Sequence, residues 1–372
     1  MQKNGQVDKI NLMGMNCHTI SEFFVEIGEK PFHAVQVFKW IHQRGVVDFA
    51  QMTDLSKVLR GKLDSLCTVV LPTIVSQQVS KDGTHKWSIS NSVADGFIET
   101  VFIPGKNRGT LCISSQIGCT LECSFCLTGK QGFQRNLTAS EIIRQVWIAN
   151  QKVKHIVHSA VPSPCITNVV LMGMGEPLLN FSSVITALQV IRDDNAYALP
   201  KRRVTISTSG VVPGIDDLAA CADVALALSL HAPNDKLRTQ LVPLNKKYPI
   251  SKVIAACKRY VKAHKRHRVT IGYVMLDGVN DSLKHAKQLV QVLEGLPCKV
   301  NLIPFNTFER APYKCSKIET ILEFSKFLIR ADINTTTRAR RGDDIQAACG
   351  QLVGKVLDKT RRHERWLQNL SP

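Results

Sequence analysis

The sequence has no stretch of about 18 consecutive apolar residues, the length that a membrane-spanning helix needs. Its first residues, MQKNGQVDKINLMGMNCHT, also lack the apolar stretch and the small-residue cleavage site of a signal peptide. Internal repeats and low-complexity segments are missing as well. We therefore expect a globular cytoplasmic protein, whose 372 residues suffice for one large domain or two to three smaller ones.

Acidic residues are scarce relative to basic ones: 30 Asp and Glu stand against 48 Lys and Arg, a formal net charge of +18. This excess suits a polyanionic partner, most simply nucleic acid, or an acidic membrane surface. The alternative explanation of the net charge is an enzyme that is basic in general and has no polyanionic partner. Four basic runs lie in the second half of the chain, at 201–203, 265–268, 338–341 and 359–365. Each run alone is typical of a solvated surface, but together with the net charge they favour RNA.

The beginning of the chain predicts helices. Segments 31–45 and 52–66 carry apolar residues at helical spacing. The first is expected to end at Gly45, and Thr53 or Asp54 is a plausible N-cap for the second.

Short strands are expected to follow these helices. Asp82 and Gly83 form a dipeptide typical of a hairpin turn, and β-branched segments flank it on both sides. We interpret residues 1–95 as an accessory domain of helices and a small linking sheet, a candidate RNA contact.

From about residue 97 the pattern changes to strands that alternate with helices. Six apolar, β-branched runs predict strands, at 110–116, 166–173, 203–210, 224–231, 268–276 and 299–305. Most are separated by helical segments, the first of which opens with Thr138 and Glu141 at the spacing of a capping box. The pattern predicts an α/β fold with a parallel sheet, open or closed into a barrel, whose chemistry lies at the C-terminal strand ends.

The twelve cysteines do not suggest a disulfide framework, because no export signal is present. Cys119, Cys123 and Cys126 form a C-x3-C-x2-C triplet directly after a predicted strand. Three thiolates at this spacing can bind three irons of a cubane cluster and leave the fourth iron open for a ligand. A structural zinc site would need a fourth Cys or His at similar spacing, and none follows within the next 25 residues.

The triplet, with Phe125 before its last cysteine, resembles the signature of the radical S-adenosylmethionine (SAM) superfamily. In that superfamily SAM chelates the unique iron of a [4Fe–4S] cluster, and electron transfer into its sulfonium releases a 5′-deoxyadenosyl radical. The superfamily fold is a partial (β/α)6 barrel. The resemblance implies a core barrel over residues 96–345 and a C-terminal segment, 346–372, that carries Cys349. The residue pattern of the tail predicts a basic helix over 355–368.

Further segments resemble one family within this superfamily, the RlmN family of RNA adenine-C2 methyltransferases. They lie at 112–119, 127–142, 171–180, 207–210, 228–235 and 341–352. The resemblance covers the chain from about Phe97 onwards, with weaker motifs before it. It implies methylation of an adenosine in the peptidyl-transferase centre of 23S rRNA, and in some members of the adenosine 3′ to the anticodon in tRNA. The alternatives are the sister enzymes that methylate adenine C8 and confer antibiotic resistance, and a non-catalytic zinc- and RNA-binding protein.

The family's chemistry explains why further cysteines are needed. Carbon 2 of adenine is electron-poor and does not attack the methyl group of SAM, whereas a carbon radical adds to it. In the family one SAM methylates a cysteine, matched here by Cys349, and a second SAM supplies the radical that activates this S-methyl group. Cys112 matches the thiol that takes the C2 proton and resolves the crosslink as a transient disulfide with Cys349. Glu99 matches a carboxylate assigned as a proton acceptor, and its division of labour with Cys112 stays open.

The resemblance also implies a SAM site, two SAM molecules per turnover, an electron donor such as flavodoxin, and a monomer. The matching SAM contacts are Gly175, Glu176, Ser207, Ser229, Leu230, His231 and Asn306. Glycines at 173 and 175 would let a ligand approach the backbone, and Glu176 could accept from the ammonium group of SAM. The run 338–341 is expected near the barrel entrance as an RNA contact. The remaining cysteines are interpreted as core or surface thiols: Cys17, Cys67, Cys165, Cys221, Cys257, Cys298 and Cys315.

Overall fold

The computed structural model describes residues 9–90, 96–156, 166–264 and 268–368. Cys165 and most of the basic run 265–268 lie outside the described residues. Two compact units are formed: Met1–Thr73, Leu137–Cys165 and Ser182–Pro200 make the first, and Ile74–Asn136, Ile166–Phe181 and Lys201–Pro372 make the second. No helix in the described parts of the chain has the length and apolar character needed to cross a membrane.

The secondary structure alternates as the sequence predicts from residue 97 onwards. The strands are β1 Ile10–Asn11, β2 Cys67–Thr68, β3 Thr73–Val79, β4 His85–Ser90, β5 Phe97–Gly105, β6 Arg108–Cys112, β7 Gln116–Gly118, β8 Phe133–Asn136, β9 Asn168–Leu171, β10 Val204–Thr208, β11 Ala225–Ser229, β12 Val269–Met275, β13 Cys298–Pro304 and β14 Thr335–Thr337. The α-helices are α1 Cys17–Glu26, α2 Pro31–Lys39, α3 Lys57–Leu66, α4 Leu127–Lys130, α5 Ala139–Ile156, α6 Phe181–Arg192, α7 Val212–Cys221, α8 Asp235–Leu241, α9 Ile250–Ala263, α10 Leu283–Leu293, α11 Ile318–Arg330 and α12 Arg362–Gln368.

Two of the three predicted helix boundaries in the first unit are confirmed. After α2 a wider turn ends at Gly45, whose φ of 73° is left-handed and favours glycine. Before α5, the Thr138 amide donates to Glu141 Oε2 at 2.7 Å and the Glu141 amide donates to Thr138 Oγ1 at 3.3 Å, which is the predicted capping box.

The predicted N-cap of α3 is wrong. Ser56, rather than Thr53 or Asp54, accepts from the Leu59 amide at 3.1 Å and begins the helix. The Asp54 carboxylate instead accepts from the indole N–H of Trp40. A sequence window cannot show this competition, because the Trp40 side chain comes from another turn of the chain.

The second unit is built on one ten-stranded sheet with the order β14-β13-β12-β11-β10-β9-β6-β5-β4-β3. Each neighbouring pair from β6 to β14 is parallel. The six strands predicted from the sequence are β6 and β9 to β13, so the parallel α/β architecture of a partial barrel is confirmed. Parallel strands bring their C-terminal ends to one edge of the sheet.

The strands around the predicted hairpin turn extend this same sheet. Gly83 has a φ of 82°, and its amide donates to the Ser80 carbonyl at 2.9 Å in the turn between β3 and β4. Strand β4 pairs antiparallel with β5, and β5 pairs antiparallel with β6. A two-stranded hairpin gains little stability alone, and pairing with β5 joins it to a large sheet.

The C-terminal helix is shorter than predicted. The pattern indicates a helix over 355–368, but α12 begins only at Arg362. The residues before it are not helical, because amides among them donate to a side chain and to a strand of the second unit. The Leu357 amide donates to Gln134 Oε1 at 2.9 Å, and the Lys359 amide donates to the Phe133 carbonyl at 3.2 Å.

Candidate active site

A cavity opens at the C-terminal ends of the central parallel strands. Its empty volume is about 1190 Å³, including the part open to solvent. Strands β9 to β13 each contribute a residue at or near their last position: Leu171, Thr208, Ser229, Val274 and Pro304. This is the location that the alternation of strands and helices predicts for the chemistry.

The three cysteines of the triplet all line this cavity. Burial first, and then the nearby Cys126 and Cys123, raise the pKa of Cys119. Burial also raises the pKa of Cys123 to about 12. Thiols that face one another in a buried site are stabilised as thiolates when they bind a metal.

The donor set of the triplet fits an iron–sulfur cluster. Cys119, Cys123 and Cys126 line one cavity, and in a cubane cluster each thiolate binds a different iron. The three cysteines would therefore hold three irons of a [4Fe–4S] cluster.

Arg362, at the start of α12, fixes the backbone of the cysteine-bearing loop. Its Nη1 donates to the carbonyls of Cys119 and Leu121 at 2.9 and 3.0 Å, and its Nη2 donates to the Thr120 carbonyl at 2.6 Å. The sequence assigned this arginine to a basic run. Its position on the loop was missed, because nothing local to residue 362 indicates a partner so far away in the chain.

The glycine-rich turn after β9 is shaped by close packing. Gly175 has a φ of 99°, and a Cβ there would lie 2.6 Å from Cβ of Gln116. At Gly173 a Cβ would lie 2.7 Å from Oγ of Ser114. Both glycines also line the cavity, so they make room for the neighbouring segment and leave backbone open to a ligand.

Glu176 follows this turn and is buried in the cavity wall. Its Oε2 accepts from the Ser209 amide at 2.8 Å, and its Oε1 accepts from the Leu178 amide at 3.2 Å. Burial raises the pKa of the Glu176 carboxyl, against the lowering effect of these hydrogen bonds. The carboxylate is thus oriented before any ligand binds.

His231 is held as a neutral imidazole. Its Nδ1 accepts from the Val274 amide at 3.0 Å, which places the proton on Nε2. Burial, and then the charge of Arg238, lower its pKa to about 3. The ring meets Phe125 edge to face, with centroids 4.7 Å apart. His231 therefore offers an N–H donor near the cysteine loop.

The other predicted SAM contacts divide into two groups. Ser207 and Ser229 line the cavity with their hydroxyl oxygens 3.4 Å apart, and Asn306 lines it as well. The Oδ1 of Asn306 is buried without a hydrogen-bond partner among the described residues, so it is an acceptor suited to a bound molecule. Leu230 differs, since its side chain is fully buried and does not line the cavity.

Cys349 lies in the cavity wall, and Cys112 lies at the end of β6. Arg338 Nη1 donates to the Cys349 sulfur at 2.8 Å. Burial, and then the proximity of Cys349, raise the pKa of Cys112 to about 12. The structure thus brings together two thiols that are 237 residues apart in the sequence (349 − 112), and both are free.

Glu99 does not line the cavity. Its side chain is buried in the sheet, with Oε1 3.1 Å from Lys86 Nζ. Burial raises the pKa of Glu99, and the neighbouring Lys86 opposes this shift. The structure therefore separates Glu99 from the cavity-lining residues with which the sequence grouped it.

Arg238 is a further residue that the sequence did not single out. It is fully buried, and its Nη2 donates to the Ser209 carbonyl at 2.6 Å while its Nε donates to the Leu230 carbonyl at 3.2 Å. These carbonyls follow β10 and β11, so one guanidinium fixes the ends of two strands that form the cavity. Burial lowers the pKa of Arg238 to about 10.

Comparison with family models gives two matches along the chain. The N-terminal domain of ribosomal RNA large subunit methyltransferases (RlmN_N) matches residues 10–69. The radical SAM superfamily matches residues 113–290, which include the cysteine triplet and the glycine-rich turn.

A solved structure agrees with these matches. A radical SAM methyltransferase from Sphaerobacter thermophilus is 41% identical and superimposes with a TM-score of 0.85, over 92% of this chain and 99% of that one. Two other solved structures are more distant. SuiB from Streptococcus suis, bound to S-adenosylmethionine, is 15% identical over 63% of this chain and 52% of its own, with a TM-score of 0.44. A point mutant of spore photoproduct lyase is 12% identical over 62% of this chain and 76% of its own, with a TM-score of 0.43.

Proposed function

The chain belongs to the radical SAM methyltransferases and carries the RlmN-type N-terminal domain, and we propose that it methylates C2 of an adenosine in RNA. Membership of this superfamily implies SAM and a [4Fe–4S] cluster. One observation carries the proposal: Cys349, with Arg338 on its sulfur, lines the same cavity as the three cysteines of the triplet. A protein thiol beside the radical-generating centre suits a carbon that polar methyl transfer cannot reach.

In this proposal Cys119, Cys123 and Cys126 bind three irons of the cluster. Glu176, Ser207, Ser229, His231 and Asn306 hold SAM through side chains, while Gly175 and Leu230 contribute backbone groups. When bound, the cluster and two SAM molecules per turnover supply a methyl group and a 5′-deoxyadenosyl radical. Support comes from the oriented carboxylate of Glu176, the N–H of neutral His231 and Oδ1 of Asn306, for which the described residues provide no hydrogen-bond donor.

Cys349 carries the methyl group, which loses one hydrogen atom to the 5′-deoxyadenosyl radical as its carbon becomes bonded to C2 of adenine. The Cys112 thiolate takes the proton from C2, and the remaining odd electron would return to the iron–sulfur centre that supplied it. After giving up this proton, Cys112 attacks the Cys349 sulfur as a thiolate. The sulfur–carbon bond breaks, the carbon takes a proton to become the methyl group of the product, and a Cys112–Cys349 disulfide remains. Reduction of this disulfide restores both thiols. Glu99 is the candidate for an additional proton acceptor.

The substrate is proposed to be an adenosine in the peptidyl-transferase centre of 23S rRNA, and also the adenosine 3′ to the anticodon in tRNA. A second, smaller cavity has Cys349 in its wall, and Arg340 and Arg341 line it too. These arginines suit phosphate contacts beside a base that has been flipped out of its stack. We further propose residues 1–95 as an accessory RNA contact, and a cytoplasmic monomer that receives electrons from a flavodoxin-like donor.

An anaerobic assay tests the proposal. The protein is reconstituted with iron and sulfide and incubated with SAM, a reductant and unmodified 23S rRNA or tRNA. The RNA is then digested, and methylated nucleosides are identified by mass spectrometry against standards. We expect 2-methyladenosine, and comparison of the two RNAs defines the substrate.

Two other outcomes would overturn parts of this proposal. Formation of 8-methyladenosine would move the protein to the sister C8 enzymes. Absence of methylated adenosine with an intact cluster would refute the RNA substrate. Metal analysis is a separate check: we expect about four iron and four sulfide per chain, whereas about one zinc would indicate a structural metal site.

A further inference from the structure

The segment that carries Cys349, residues 341–353, is anchored at its beginning by the turn between β3 and β4. We call this segment the Cys349 loop. The Gly342 amide donates to Asp82 Oδ2 at 3.0 Å. In the opposite direction, Asp344 accepts from the Ser80 hydroxyl at 2.5 Å and from the Lys81 amide at 3.1 Å. The hairpin turn therefore fixes the start of the loop.

A buried ion pair holds the loop on both sides of Cys349. Lys86 Nζ lies 3.1 Å from Glu99 Oε1, and it also donates to the Gln346 carbonyl at 3.4 Å. Glu99 Oε2 accepts from the Val353 amide at 2.8 Å. The two contacts lie three residues before Cys349 (349 − 346) and four residues after it (353 − 349).

The sheet explains how these two side chains meet. Lys86 lies opposite Val101 and Glu99 lies opposite Ser88 in the antiparallel pairing of β4 with β5. Lys86 and Glu99 are therefore diagonal neighbours on one face, within reach of long side chains. Lys86 is 7% exposed and Glu99 is 4% exposed, so each charge depends on the other for compensation.

The loop needs such anchors because its backbone is strained. Gln346 is a non-glycine residue with a φ of 50°, in the left-handed region that costs energy for residues with a Cβ. Conformations of this kind persist when the surrounding structure holds them on several sides. The contact from Lys86 reaches the carbonyl of this same residue.

We propose that Lys86 and Glu99 act together as positioning residues that hold the Cys349 loop, and with it the Cys349 sulfur, in the cavity wall. The inference rests on the proposed function of Cys349 as the methyl carrier. It gives Glu99 a role different from proton transfer at the substrate. Both carboxylate oxygens of Glu99 already have partners, Lys86 Nζ and the Val353 amide.

The test uses full-length, cluster-loaded protein and three variants, Lys86→Met, Glu99→Gln and the combination of both. Hydrogen exchange is measured by mass spectrometry on peptides covering 346–353. The S-methylated fraction of Cys349 is measured after incubation with SAM in the absence of RNA. We expect each single variant to speed amide exchange in the loop at least tenfold and to slow S-methylation by a similar factor. The double variant should show loop exchange as fast and S-methylation as slow as Lys86→Met, because Met cannot donate to the Gln346 carbonyl.

A proton acceptor would give a different result. If Glu99 only removes the proton from C2, Glu99→Gln leaves loop exchange and S-methylation at wild-type values and stops RNA product alone. That pattern would overturn the positioning role. If wild-type Cys349 acquires no methyl group at all, the proposed function fails, while the exchange data still decide whether the pair holds the loop.

Two controls separate positioning from general loss of structure. Asp216→Asn breaks an exposed pair with Arg259, 2.8 Å apart in the same unit, and should change neither readout. Lys86→Arg keeps the charge, so its rates of loop amide exchange and of Cys349 S-methylation should both stay within about threefold of wild type. If Lys86→Met does not fold, Lys86→Arg and Glu99→Gln still decide the question. Loop exchange that is equally slow in wild type and Glu99→Gln would refute the inference.

Discussion

Arg338 donates a hydrogen bond from Nη1 to the sulfur of Cys349 at 2.8 Å. The pKa of Arg338 is raised, with Cys349 as the largest cause and burial acting in the opposite direction. A guanidinium in this position stabilises the sulfur when the sulfur is an anion. One arginine of a run that the sequence assigned to RNA contact thus faces the thiol at the centre of the proposed chemistry.

Replacement of Arg338 by Met should slow alkylation of Cys349 by iodoacetamide several-fold, because the hydrogen bond that orients the Cys349 sulfur is lost. The rate is measured on the Cys349 peptide by mass spectrometry, in protein without SAM. Arg330→Met, at the exposed end of α11, removes the same charge and should leave the rate unchanged. Equal rates in wild type and Arg338→Met would show that the arginine does not activate this thiol.

Replacement of Cys349 by Ala should abolish RNA methylation while iron and sulfide content stay at wild-type values. The reason is that Cys349 is proposed to carry the methyl group and is not one of the three cysteines of the triplet. Both quantities are measured on the same preparation, by nucleoside mass spectrometry and by metal analysis. Turnover in this variant would exclude the carrier role.

Replacement of Cys112 by Ala should trap a covalent adduct between protein and RNA, because the thiol that resolves the crosslink is missing. The adduct is detected by denaturing gel electrophoresis and located by mass spectrometry at Cys349. The double variant Cys112→Ala with Cys349→Ala is the control and should form no adduct. Normal turnover by the single variant, without an adduct, would remove Cys112 from the mechanism.

Replacement of Arg340 and Arg341 by Gln should weaken RNA binding and make it less dependent on salt. Loss of two phosphate contacts reduces the slope of log affinity against log salt by roughly 1.4 to 1.8. Binding is measured by fluorescence anisotropy over a range of salt concentrations. Arg330→Gln is the control and should leave the slope near its wild-type value. If this control reduces the slope as much as the change at Arg340 and Arg341 does, the effect is one of net charge and not of phosphate contacts.

His231 should make the metal-free protein less stable in acid. Its folded pKa is about 3, against an ordinary value of 6.5. As the pH falls below 6.5, His231 therefore takes up a proton in the unfolded chain, whereas it stays neutral in the folded protein. The free energy of unfolding should drop through this residue by about 2 kcal/mol between about pH 7 and about pH 5. Urea unfolding at both pH values should show a smaller drop for His231→Gln, and an equal drop would contradict the assignment.

Local patterns in the sequence were sufficient for much of the fold. Strand and helix periodicity predicted the six parallel strands β6 and β9 to β13, because each pattern lies within a few consecutive residues. The cysteine triplet is equally local: its spacing predicted a cluster, and the β-branched run at 110–116 predicted a strand before it. The cavity that these cysteines line confirms the expected end of the sheet.

Interactions between residues that lie far apart in the chain could not be predicted from the sequence. In the sequence Lys86 and Glu99 resemble ordinary strand residues, and only the pairing of β4 with β5 brings their side chains together. Arg238 gives no signal of its own, although it joins the ends of two strands. The misplaced cap of α3 has the same origin, since Trp40 competes for Asp54 from another turn. Pairing partners of this kind are set by topology, which a single sequence window does not contain.

The hydrogen bonds from Arg362 to the loop of Cys119 have a consequence for biosynthesis. The donor is made 243 residues after the first carbonyl that it contacts. While the ribosome is still translating the barrel, the carbonyls of residues 119–121 lack the guanidinium that they contact in the folded protein. These hydrogen bonds form only after residue 362 has left the exit tunnel, so iron delivered to a nascent chain would meet a loop without them.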